Sequence, residues 1–239
     1  MRVFLAGATG AVGRPLTRLL VAAGHAVTGT TRSAAKATEI EAAGATPAIV
    51  DAFDFDAVHA AVLAARPDAV IHQLTDLPSV RDPATYPAGL AANARLRMVA
   101  TPALVVAARA AGARRFITQS VAFAYASGSA PLREDIPLDY AGKATLVRGV
   151  AALEALTTGT SGLTGIVLRY AYLYGPGTWY AAPQGAGFIH VDAAAQAALL
   201  ALTHGEAGIY NIAEDDGAVS IEKARRALGF DPAFRAPVA

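Results

Sequence analysis

The chain has 239 residues, 54% of them apolar and 16% charged, with a formal net charge of +1. That composition buries a large core and argues against disorder, and so small a net charge draws the chain to neither nucleic acid nor anionic lipid. Cysteine is absent, which excludes disulfides, thiolate nucleophiles and Cys-ligated metals.

Short apolar runs alternate with longer Ala/Leu segments. RVFLA (Arg2 to Ala6) reads as the first strand, and the helical stretch Ala11 to Ala23 after it is closed by Gly24. HAVTGT (His25 to Thr30) is a second strand, Ala34 to Ala43 a helix closed by Gly44, and TPAIV (Thr46 to Val50) a third strand. Asp56 to Ala65 is a helix and DAVIH (Asp68 to His72) a fourth strand; a proline-bearing loop then runs to about Gly89. A long helix, Leu90 to Ala111, leads to a fifth strand, Arg115 to Thr118. Ser127 to Gly142 is a loop, Thr145 to Thr157 a helix and GIVLRY (Gly165 to Tyr170) a sixth strand. The pattern then weakens to a helix from Asp192 to Thr203, a short strand from Gly208 to Ile212 and a last helix from Ile221 to Leu228.

This alternation specifies an α/β fold with a doubly wound, Rossmann-type parallel sheet, and ligands at the carboxyl ends of its strands. Residues 1–239 read as a single domain, in which 171–239 contribute short elements of a much reduced C-terminal substrate lobe. The apolar run after Arg2 meets a glycine turn at Gly7, too soon for a signal peptide, and no run reaches about 18 unbroken apolar residues. A cytoplasmic protein with no membrane partner is the expectation.

GATGAVG (Gly7 to Gly13) lies between the first strand and the first helix. Its glycines let the chain turn sharply and bring backbone close to a diphosphate, while free N–H groups at the helix start face the anion. Gly7, Thr9, Gly10, Ala11, Val12 and Gly13 form this candidate seat for a dinucleotide. An NAD site usually places a carboxylate after the second strand, to hold the ribose 2′-hydroxyl. Here GTTRS (Gly29 to Ser33) offers Thr31, Arg32 and Ser33 instead, so NADP(H) is the expected cofactor, with NAD the alternative. Arg14 is either a second phosphate partner or a solvated charge. Asp51, followed by Ala52, stands where a carboxylate accepts from the adenine amino group.

GATGAVG, Asp51, VIHQLT (Val70 to Thr75), RFITQS (Arg115 to Ser120) and LRYAYLYGPG (Leu168 to Gly177) together resemble the extended short-chain dehydrogenase/reductase family, whose members are often called NAD-dependent epimerase/dehydratases. The resemblance implies that Leu74 and Thr75 lie along the cofactor ribose, that Ser120 sits beside the nicotinamide, and that Tyr170 and Ala171 cover its far side with Tyr172 facing substrate. It also implies a Tyr and a Lys four apart on one helix, the Lys lowering the pKa of the Tyr that moves the proton. This sequence departs there. Counting back from Glu154, the two positions hold Leu146 and Val150; the position of the family's Asn in the long helix holds Arg97, with Asn93 one turn before it. The candidate substitutes are Ser120, Tyr125, Tyr140 and Lys143, with Tyr125 the best placed. This loss resembles the atypical members of the family.

Between Gly175 and Phe188 only a short remnant of a substrate lobe is left, in which Trp179 joins Tyr125 and Tyr172 as candidate substrate contacts. Asp192 is expected to cap the helix it opens. His25, His59, His72, His190 and His204 are scattered without ligand spacing, so no metal site is expected. The function expected is an NADP(H)-dependent oxidoreductase acting on a small carbonyl, alcohol or sugar-derived substrate; the alternative is a dinucleotide sensor that has lost its chemistry. A homodimer through the two Ala/Val-rich helices is a further expectation.

Overall fold

The computed structural model describes residues 1–237. Strand β1 (Arg2–Ala6) passes through the glycine turn into helix α1 (Gly13–Ala22), followed by β2 (Ala26–Thr31), α2 (Ala34–Ala42), β3 (Thr46–Ile49) and α3 (Phe55–Ala65). Strand β4 (Ala69–His72) is joined by a long loop to α4 (Tyr86–Ala110), then come β5 (Arg115–Val121), α5 (Ala144–Gly159) and β6 (Thr164–Tyr170). The last part holds β7 (Tyr172–Tyr174), β8 (Phe188–His190), α6 (Val191–Leu200), β9 (Gly208–Ile212) and α7 (Glu222–Leu228).

Seven strands form one sheet in the order β3-β2-β1-β4-β5-β6-β9, with every neighbouring pair parallel. The chain runs outward from β1 to β3 and then crosses back through α3 to β4, on the other flank of β1. The connections leaving β1 and β4 therefore diverge to opposite faces and open a crevice at the carboxyl edge. Alternation along β1 divides the core. Val3 and Leu5 join Leu16 and Leu20 of α1 and the alanines of α6 on one face. Phe4 and Ala6 join Val62 of α3, Leu104 of α4 and Phe116 on the other. Burial of both faces is why these strands are continuously apolar.

Five details differ from the sequence expectations. Helix α1 begins at Gly13, which leaves Ala11 and Val12 in the turn. Helix α4 begins at Tyr86 rather than Leu90, because Pro87 occupies the first turn, where its missing N–H costs nothing. Gly89 lies inside that helix, and a Cβ there would come within 2.6 Å of Pro78 in the preceding loop. Strand β5 continues to Val121, and β7 and β8 form an additional two-stranded parallel pair. Finally, Asp192 does not cap α6. The Nδ1 of His190 accepts from the Asp192 amide at 3.1 Å, while the Asp192 carboxylate accepts from the amide of Ala236.

Among the described helices only α4 is long and apolar enough to cross a membrane, and more than half of its most apolar window is buried within the fold. It packs between α3 and α5.

The approach of α5 to β6 is set by one missing methyl. A Cβ at Gly165 would fall 1.8 Å from the Thr157 carbonyl oxygen, whereas one at Gly159 would meet nothing within 4 Å. Gly165→Ala is expected to destabilise the fold by about 3 kcal/mol through overpacking, with Gly159→Ala close to neutral. Thermal melts of the two variants check this.

Candidate active site

The glycine turn is built by crowding. Gly7 has φ +92°, and a Cβ on it would press on the Gln73 carbonyl carbon at 2.9 Å. A Cβ on Gly13 would lie 2.0 Å from the Gly7 carbonyl oxygen, so the first turn of α1 sits directly on the end of β1. Gly10 is different: its Cβ would meet only the Gly7 oxygen, at 3.4 Å, and the residue is exposed. The protein leaves the space beyond Gly10 clear. No side chain caps α1, no acid occupies its first turn, and the amides of Ala11, Val12 and Gly13 have no protein acceptor among the described residues. Uncapped N–H groups at the positive end of a helix favour an anion. A diphosphate fits this corner, with Gly10 the place where a side chain would stand in its way.

From the turn a cavity of about 320 Å³ runs to the edge formed by β2 and β3. Arg14, Arg32 and Lys36 line it on one side, and Asp51, Ala52 and Phe53 on another. Arg32 is mostly exposed and only loosely held by Asp76, at 3.7 Å; Arg14 pairs with Glu39 at 3.0 Å. Asp51 accepts from the Phe53 amide at 3.0 Å. Thr31 is buried, and its Oγ1 accepts from the Ser33 amide at 3.2 Å.

A second cavity, of about 260 Å³, adjoins the first through the shared residues Ala11, Thr75, Leu77, Ser79 and Gly177. Tyr170 closes its floor. The Tyr170 hydroxyl accepts from Gln73 Nε2 at 3.0 Å, and burial pushes the phenol well above its usual pKa. Gln119 donates to the Leu74 carbonyl at 3.0 Å, and Asn93 accepts from the Asp76 amide at 3.0 Å, so polar side chains fix the loop after β4. Beyond Phe123 and Tyr172, stacked at 4.2 Å between ring centroids, an outer cavity of about 640 Å³ opens to solvent. Trp179 donates to the Pro78 carbonyl at 2.9 Å and sets its ring edgewise to Tyr86. This ties the shortened lobe to the loop over the inner cavity.

The structure brings together the expected cofactor residues Gly7, Thr9, Gly10, Ala11, Thr31, Arg32, Asp51, Ala52, Leu74, Thr75, Ser120, Tyr170 and Ala171 along these adjoining cavities. Val12 and Gly13 are buried beneath them in the turn. Tyr172 and Trp179 line the inner cavity and Tyr125 the outer one. Of the expected proton-moving groups, Tyr125 and Lys143 both line the outer cavity with their polar ends committed to other partners, while Ser120 and Tyr140 lie apart from them. Ser120 is fully buried, and its hydroxyl donates to Glu154 at 2.7 Å. Glu154 in turn holds Arg169 through two bonds of 2.8 and 2.6 Å. The Tyr125 hydroxyl donates to Asn211, its ring lies under Arg169, and burial raises its pKa against the pull of that guanidinium. Tyr140 is 61% exposed and lines none of these three cavities. Lys143 spends its ammonium on the carbonyls of Phe123 and Tyr125, at 2.9 and 3.2 Å. Leu146 lines the inner cavity and Val150 is fully buried, so apolar side chains stand where a Tyr and Lys were sought.

Sequence reasoning passed over Gln73, Gln119, Tyr86, Phe123 and Lys36 as site residues. It read Arg97 only as a departure. One signal was available: Asn93, Arg97 and Thr101 are spaced by four in a largely apolar helix. All three are buried on one face.

A nicotinamide-dinucleotide-binding, oxidoreductase-like α/β protein is the class that this fold and cleft define. A family model described as NAD(P)H-binding matches residues 7–190, and the chain belongs to that family. The 3-diazoavenalumate denitrifying reductase of a Streptomyces species is 42% identical over 266 aligned residues, spanning all of this chain and 85% of the relative. UDP-glucose 4-epimerase of Thermotoga maritima, solved with UDP-glucose, superposes with a TM-score of 0.80 at 18% identity, over 98% of this chain and 94% of that one. The UDP-glucose 4-epimerase of Thermus thermophilus, solved with NAD, gives 0.72 at 23% identity, over 97% and 85%. The two epimerases share the fold. The resemblance to short-chain dehydrogenase/reductases drawn from the sequence is borne out.

Because Gly10 is required by the space in front of it and not by the backbone, Gly10→Ala is expected to fold normally and to bind reduced dinucleotide at least about tenfold more weakly. Calorimetric titration, with a melt as the folding control, checks both halves.

Proposed function

We propose that the chain is an NADPH-dependent reductase whose hydride acceptor takes no proton from the protein, and that this acceptor is an aryl diazonium group that leaves as dinitrogen. One observation carries the reading: every expected acid at the inner cavity is turned away or committed elsewhere, and Leu146 and Val150 fill the remaining places. A carbonyl reduced here would develop an alkoxide without the Tyr and Lys pair that would ordinarily protonate it, and a general acid is worth about 10²–10⁴ in rate. When bound, the cofactor supplies a hydride: with a diazonium acceptor the carbon–nitrogen bond breaks, a bond to hydrogen forms with the transferred electron pair, dinitrogen departs, oxidised nicotinamide remains and no proton is consumed. The similarity to a denitrifying reductase of a diazo compound supports this acceptor class.

The chain's own residues divide the remaining work. The amides of Ala11 to Gly13 hold the diphosphate, Asp51 accepts from the adenine amino group, and Arg32, with Lys36 and Arg14 nearby, meets a 2′-phosphate. Tyr170 and Ala171 back the nicotinamide; Phe123, Tyr172 and Trp179 exclude water and flank the acceptor. The cytoplasm is the compartment we assign. A homodimer remains a proposal, and Met98, Val99 and Val106, exposed on α4, are the surface it would use.

The test is a matched pair of acceptors, 4-carboxybenzenediazonium and 4-carboxybenzaldehyde, with NADPH oxidation followed above the enzyme-free rate. The diazonium is expected to turn over at least about a hundredfold faster, with one dinitrogen released per NADPH. Equal or faster aldehyde reduction contradicts the reading, and tight NADPH binding with turnover of neither favours a sensor. Arg32→Ala is expected to weaken NADPH at least about tenfold and leave NADH within about twofold. Equal losses refute the 2′-phosphate assignment.

A further inference from the structure

Arg97, midway along α4, is 2% exposed, and its Nε and Nη1 are shut off from solvent without a hydrogen-bond acceptor among the described residues. The side chain lines the inner cavity together with Gln119, Ser120, Leu146 and Tyr170. The acid whose field reaches it, Glu154, is already taken by Arg169 and Ser120. His72 gives no help: burial, and then the Arg97 charge itself, hold its pKa at about 3, so the imidazole is neutral. Burial lowers the Arg97 pKa only to about 10, so the guanidinium stays charged at neutral pH. A buried cation without an anion is a standing cost to the fold, and a protein keeps one where a ligand completes it.

We propose that Arg97 is the receptor for the carboxylate of the substrate, and that the substrate is an aromatic acid. This deepens the reductase reading and rests on it for the identity of the cleft. The cofactor's phosphates have their own seat, at the glycine turn and its three flanking cations. Ribose hydroxyls are neutral and leave the charge of Arg97 uncompensated. A charge that develops only during reaction leaves it unpaired in every resting complex. A carboxylate carried by the substrate meets the guanidinium in the ground state, through charge-assisted hydrogen bonds. The walls give the rest of the ligand its character: Tyr86, Phe123, Tyr172 and Trp179 present ring faces and edges suited to a flat conjugated body.

The experiment is calorimetric titration of the NADP⁺-saturated protein with 4-hydroxycinnamate and with its methyl ester. The acid is expected to bind at least about tenfold more tightly than the ester, the size of effect a charge-assisted hydrogen bond supplies. Arg97→Gln removes that preference and leaves ester and NADP⁺ affinities within about threefold, and Arg97→Lys restores part of it. Arg97→Met raises Tm, because the uncompensated charge is gone. Equal binding of acid and ester by the wild type overturns the proposal. So does a loss of NADP⁺ affinity in Arg97→Gln as large as the loss for the acid, which would put the guanidinium on the cofactor. A lowered Tm in Arg97→Met also overturns it, because the side chain would then be structural. Binding is read without turnover, so failure of the hydride reading and failure of this one are told apart.

Discussion

The rest of the molecule is arranged around one close approach, the start of α1 set down on the end of β1. A side chain at Gly13 would drive the helix off the Gly7 carbonyl, and one at Gly7 would drive the turn off the end of β4. Between these two contacts no side chain caps the helix, and the amides of Ala11, Val12 and Gly13 have no protein acceptor among the described residues. The same approach brings β1 and β4 to the reversal of strand order, so the crevice and the anion-binding helix end coincide. The inner cavity, the aromatic wall and the buried guanidinium all lie along the path leading from that point.

The loss of a Tyr and Lys pair has a structural counterpart. Ser120, Glu154 and Arg169 form a closed buried network, and Arg169 also covers the Tyr125 ring. A hydroxyl donating to a carboxylate that already holds a guanidinium is well satisfied, and taking it away would leave a buried charge poorly compensated. These groups hold β5, β6 and α5 together. The inner cavity is walled largely by apolar and aromatic side chains, with Arg97 as its buried charge. Such a pocket excludes water and positions an acceptor, and it suits chemistry in which the electron pair is the whole transaction.

The fold was legible because its signals are local and repeated. Apolar strands, alanine-rich helices and closing glycines at 24, 44 and 112 mark each βα unit, and the right-handed crossover rule leaves few ways to assemble them. The elements that were missed are short or atypical: three-residue β7 and β8, and a first turn of α4 hidden by Pro87 and Gly89. The dinucleotide half of the site was legible for the same reason, since a glycine turn between a strand and a helix fixes backbone geometry. The catalytic half was not. Position in the chain puts Ser120 and Tyr125 beside the cleft, but which neighbour a hydroxyl chooses depends on Glu154 and Asn211, tens of residues away. Arg97 could be placed on the inward face from its spacing to Asn93 and Thr101. That its Nε and Nη1 find no acceptor among the described residues is a property of the packed structure alone.

Cofactor binding as proposed requires the amides at the start of α1 to grip the diphosphate. Nitrogen-15 NMR of the uniformly labelled protein during titration with NADPH tests this most directly. Shifts of the Ala11, Val12 and Gly13 amide resonances, saturating with the binding isotherm, are the predicted result. Saturable NADPH binding that leaves those three resonances where they were would contradict it.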